Sequence, residues 1–78
     1  MKFSIVILDS NEVEVDNFVI DCDMFSRALL EAERLFCSKH SNLQHLDSGM
    51  FVGSNTRDLT VFNKDNSQEE YYQLKIIN

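Results

Sequence analysis

The sequence predicts an α+β fold, a single domain over 1–78 with one helix packed on one face of an antiparallel sheet, in the order β-β-α-β-β-β. Three observations lead there. Only the segment 24–38, MFSRALLEAERLFCS, keeps a long helical period, with Phe25, Ala28, Leu29, Ala32, Leu35 and Phe36 forming one apolar stripe. The other apolar residues fall in short runs bounded by Asp, Asn, Ser and Gly, the punctuation of strands and turns. The chain has no proline, which is consistent with uninterrupted strand pairing.

The segment 2–8, KFSIVIL, reads as a strand with Phe3, Ile5 and Ile7 on one face and Ser4, Val6 and Leu8 on the other. Both faces are largely apolar, which predicts a central position. Asp9, Ser10 and Asn11 form a turn cluster, because their side chains bond their own backbone. The chain then returns over 12–22 as the second strand of a hairpin. That strand has a phase break: Val13 and Val15 share one parity, Phe18, Ile20 and Cys22 the other. One extra residue, expected near Asp16 and Asn17, reconciles them as a bulge. The helix follows at once, with Asp23 placed to cap its first turn and Arg27, Glu31, Glu33 and Arg34 on the wet side.

Lys39, His40, Ser41 and Asn42 end the helix. A third strand is expected over roughly 43–52, with an interruption at 47–49, and a turn over 53–56. The run DLTVFN at 58–63 reads as a fourth strand, 64–67 as a turn, and 68–77 as a fifth strand with Tyr72, Leu74 and Ile76 on one face.

Seventy-eight residues bury one thin core and leave no room for a deep catalytic cleft. With 44% apolar residues the chain is too hydrophobic for a disordered tail. No apolar run approaches the ~20 residues that span a bilayer, and the first residues lack a cleavable leader pattern, so a cytoplasmic location is expected. Cys22 and Cys37 are too few and too awkwardly spaced for a disulfide framework, and read as free thiols that serve as small buried hydrophobes.

Charge is the most informative feature. Thirteen acids against seven bases give −6, and from Asp9 to Asp23 there are six carboxylates and no lysine or arginine. From Arg34 onward five acids meet five bases, so one end of the molecule is expected to be negative and the other near neutral. Direct binding to nucleic acid or to an anionic membrane is therefore disfavoured. Zinc at Cys22, Cys37, His40 and His45 lacks the close cysteine pair that nucleates a site, and the expectation for the histidines is simple exposure. Asp21 and Asp23 are too few oxygens for a hard cation. Cys22 lies between two acids and Cys37 at the wrong helix end, so neither is an activated nucleophile. No phosphate loop or catalytic triad spacing is present. No cofactor, no metal and no enzymatic activity are expected.

Two surfaces remain. Glu12, Glu14 and Asp16 alternate, which on a regular strand projects them from one face ~6.5–7 Å apart. With Asp9 and Asp21 they form a candidate partner-binding surface for a protein with a basic face. The sharpest form is an inhibitor of phage or mobile-element type that imitates nucleic-acid charge on a host complex. The plainer reading is a solvated edge strand whose charges prevent sheet-to-sheet pairing. The second surface is the sheet face the helix leaves bare, with Val6, Phe62 and Tyr71, through which a small assembly protein could pair with its own copy as a homodimer.

Overall fold

The computed structural model describes residues 1–50 and 55–77, the side chain of Met50 aside. Five strands and one helix follow in the expected order: β1 (Lys2–Leu8), β2 (Glu14–Asp21), α1 (Phe25–Lys39), β3 (Leu43–Met50), β4 (Thr56–Asn63) and β5 (Gln68–Ile76). They form one sheet in the order β2-β1-β5-β4-β3, with every neighbouring pair antiparallel. The helix lies across one face of that sheet and touches all five strands. Residues 51, 52, 53 and 54, where the expected third strand ends and the next turn begins, lie outside the described residues.

Alternation along each strand decides what the helix covers. Ile5 and Ile7 of β1 sit beside Ile76 and Leu74 of β5, and Leu59 of β4 sits beside Tyr72. These side chains meet Ala28, Leu29, Ala32 and Phe36 of α1 in one buried cluster, with Phe3 and Phe18 packed against it. Burying a leucine or isoleucine side chain this way contributes ~1.5–3 kcal/mol. β1 is flanked on both sides, which explains its two apolar faces.

The helix differs from expectation at its start. Its cap is Met24, extended at φ −154°, ψ 149°, with no side-chain hydrogen bond. Asp23 sits one residue too early to cap, and instead lies 3.4 Å from Arg27 one turn on. Phe25 stays exposed: helical side chains lean toward the N-terminus, so at the first position the ring projects past the helix end. Glu33, expected on the wet side, is buried. It joins the apolar stripe because the sheet offers it a partner, Arg57 of β4.

Both edge strands carry an irregularity. On β2, Ile7 pairs with Asp16 and Leu8 with Glu14, which leaves Val15 as the extra residue. The ladder is regular through Asp16 and Asn17, so the phase break exists but falls before Asp16, not at the expected site. A bulge there turns Asp16, Phe18 and Ile20 to the helix face and leaves Val13 and Val15 exposed. On β3 the extra residue is Leu46, one position before the expected interruption at 47–49. Bulged edges resist pairing with other sheets.

Candidate functional site

The turn between β1 and β2 is built on Asp9. Its Oδ1 accepts from the backbone N–H of Asn11 at 2.9 Å and of Val13 at 3.0 Å, and its own N–H donates to the Val13 carbonyl. Glu12 closes the turn in the left-handed region at φ 62°, a conformation that takes it out of strand alternation.

The expected row of carboxylates is therefore not a row. Glu12 projects from the turn. Glu14 follows Leu8 onto the helix-free face, where its carboxylate accepts from Asn17 Nδ2 at 3.2 Å. Asp16 is turned to the other face by the bulge, and its side chain is largely covered. There it meets Lys39 Nζ at 3.1 Å and His40 Nε2 at 3.2 Å, tying the end of α1 to the sheet edge. Burial pushes the Asp16 carboxyl up, but Lys39, the Asn17 N–H and His40 together hold it below its ordinary value. Asp21 is at the opposite end of the hairpin, 3.2 Å from the N-terminal ammonium. Of the five acids singled out, Asp9, Glu12 and Glu14 share one end of the sheet. Asp16 is spent on structure, and Asp21 is remote and paired.

Strand order supplies the acids that the linear sequence hid. β5 lies beside β1, so Glu69 and Glu70 come next to the hairpin turn. Asp9 and Ser10 on one side and residues 69–72 on the other enclose an open hollow of ≈ 400 Å³. Glu69 accepts from the Tyr71 hydroxyl at 3.2 Å. Glu70 accepts from Tyr72 at 3.0 Å and from Asn63 at 3.2 Å. Burial, then Glu70 and Asp9, push the Tyr72 phenol up to about 12. This end carries Asp9, Glu12, Glu14, Asp65, Glu69 and Glu70, with Lys64 in the turn between β4 and β5. The other end holds Asp21 and Asp23 against the N-terminus and Arg27, so the acids of the hairpin region are split between two ends.

The helix-free face carries Val6, Leu8, Phe62, Tyr71 and Ile77, as alternation requires. Val6, at 8% exposure, is sheltered by its neighbours on the sheet surface and is no surface feature. Phe62 is half-buried, while Tyr71, Ile77 and the unforeseen Val19 are exposed. The two histidines, expected to be merely exposed, both approach a covered carboxylate: His40 meets Asp16, and His45 meets Glu33 at 3.2 Å. Cys22 and Cys37 are free and half-buried, and burial with Glu33 nearby pushes the Cys37 thiol up.

Among the described residues, no group of three or more His, Cys, Asp or Glu side chains is placed to hold a metal ion. Among the described residues, no helix is long and apolar enough to cross a membrane. No protein-family model matches the chain, and comparison with curated proteins and with solved structures finds no match.

Proposed function

We propose that this protein is a non-enzymatic binding module that docks its acidic end on a basic protein surface. The observation that carries this reading is the meeting of Asp9, Glu69 and Glu70 around one hollow, with Glu12 and Glu14 following Asp9 in the adjoining hairpin. The Glu12 carboxylate has no hydrogen bond or ion pair among the described residues, its backbone N–H alone being bonded, to the Asp9 carbonyl, and the Glu14 and Glu69 carboxylates meet only neutral donors there. Carboxylates left without cations attract lysine- and arginine-rich surfaces and speed encounter. The sharpest version is competition with nucleic acid for a host protein's binding groove, as an inhibitor of phage or mobile-element type would practise it.

A second reading, self-association through the helix-free face, draws on the exposed Val19, Tyr71 and Ile77. Two variants separate the readings. Glu12→Gln/Glu14→Gln/Glu69→Gln keeps side-chain shape and removes three charges. Val19→Ser/Tyr71→Ser removes apolar surface. In affinity capture from the native host, the first variant should lose the basic partner while the second retains it. Sedimentation of the purified chain should show a monomer at all salt concentrations. A salt-resistant dimer abolished by the second variant contradicts the docking reading and supports the other.

A further inference from the structure

A second hollow, of ≈ 390 Å³, lies where α1 passes over β3 and β4. Its walls are predominantly apolar, with Leu30 and Cys37 of α1 contributing, and its polar lining is Glu33, Arg34, His45, Ser48 and Arg57. Arg57 is held rigidly: Nε donates to Glu33 Oε2 at 2.8 Å and Nη2 to Ser48 Oγ at 2.8 Å. The β3 bulge at Leu46 is what places both His45 and Ser48 on this face. A guanidinium has five N–H donors, and with two spent this way three remain uncommitted among the described residues.

The polarity of the hollow is set by which atoms can be reached. The Glu33 side chain is only 7% exposed, and its Oε1 is fully shielded, with His45 Nε2 3.2 Å away but not aligned as a hydrogen bond. Glu33 thus lines the hollow with one carboxylate oxygen committed to Arg57 and the other shielded. The reachable groups are Arg57 at 16% side-chain exposure, the half-exposed His45 ring and the Ser48 hydroxyl, with Arg34 at the rim. Arg57 can only donate, Ser48 keeps its hydroxyl proton as well as one acceptor lone pair, and His45 carries an N–H in either ring tautomer. Arg57 is paired with Glu33 and Arg34 with Glu31, so what the hollow presents is a fixed set of N–H and O–H donors beside apolar walls.

We propose that this hollow binds small monocarboxylic acids with a compact apolar body, the carboxylate on Arg57 and His45 and the body against Leu30 and Cys37. The hollow falls within the ~300–1,000 Å³ range of small-molecule sites, at its lower end. A guanidinium already fixed by an ion pair loses little freedom on engaging a second carboxylate, which favours geometric recognition. The site is separate from the acidic end and does not depend on the docking reading.

The test is a two-dimensional amide NMR titration of the folded chain with benzoate, with benzamide as the neutral isostere and sodium chloride at matched concentration as control. Benzoate should shift the amides of Leu30, Cys37, His45 and Ser48 and bind ~10-fold or more tightly than benzamide, the discrimination a charge-assisted hydrogen bond confers. Leu30→Glu, at a position 53% exposed, should leave the spectrum folded and abolish the benzoate shifts. Equal affinity for benzamide, shifts elsewhere on the surface, or no shifts at tens of millimolar benzoate in the wild-type chain would each overturn the proposal.

Discussion

Replacing Arg57 with methionine should come close to unfolding this domain, and replacing Glu33 as well should restore it. Glu33 is buried, and among the described residues Arg57 Nε at 2.8 Å is its one aligned cation. Removing the guanidinium leaves a buried carboxylate with only the misaligned His45 ring, a change that costs ~3–5 kcal/mol. A chain of 78 residues at ~0.05–0.15 kcal/mol per residue has ~4–12 kcal/mol in total, so the loss takes much of it. The double variant Glu33→Leu/Arg57→Met removes both charges and fills the space with apolar atoms. It should lie within ~1–2 kcal/mol of the wild type or exceed it, as buried pairs often do when replaced together. Urea titration followed by far-ultraviolet circular dichroism reads both. With an m-value of ~1 kcal/mol/M, the single variant's midpoint should fall by several molar units. If the single variant stays within ~1 kcal/mol of the wild type, the pair is not buried as described. If the double variant is no better than the single, an uncompensated charge is not the cause.

The core and the hairpin support two further tests. Leu29→Ala should cost ~2–5 kcal/mol, since Leu29 is fully buried between helix and sheet, whereas Phe25→Ala should cost much less; equal costs would show that the helix is rotated from its described face. Asp16 is held below its ordinary value near 3.8, so the stability it contributes is present above that pH and lost as pH falls through the lower folded value. Asp16→Asn should therefore lower stability at neutral pH and flatten the acid limb of a stability–pH profile; an unchanged limb contradicts the Asp16–Lys39–His40 arrangement.

Much of this fold was legible because it depends on local patterning. The stripe from Ala28 to Phe36, the alternation of Ile5 with Ile7 and of Leu74 with Ile76, and the turn clusters at 9–11 and 64–67 each follow from neighbours in sequence. What the linear order hides is pairing across the sheet. Nothing local to Glu69 and Glu70 says that β5 lies beside β1, and that adjacency builds the acidic hollow with Asp9. Glu33 reads as a wet helical position until Arg57 of β4, 24 residues on, faces it. The bulge illustrates the same limit more finely. Its need follows from the parity of Val13 and Val15 against Phe18 and Ile20, but not which residue is extruded. Choosing Val15 instead of Asp16 or Asn17 decides that Asp16 serves the fold and not the charged surface.

The central claim is that the acidic end, and not the apolar sheet face, finds the partner. It is tested most directly by the association rate with the captured basic partner as a function of salt. Raising ionic strength from ~0.01 to ~1 M shortens the screening length from ~30 to ~3 Å. The wild-type rate should fall ~10-fold or more across that range, and Glu12→Gln/Glu14→Gln/Glu69→Gln should start slower and respond less steeply. A rate that is flat in salt, with the triple variant associating as fast as the wild type, would contradict it.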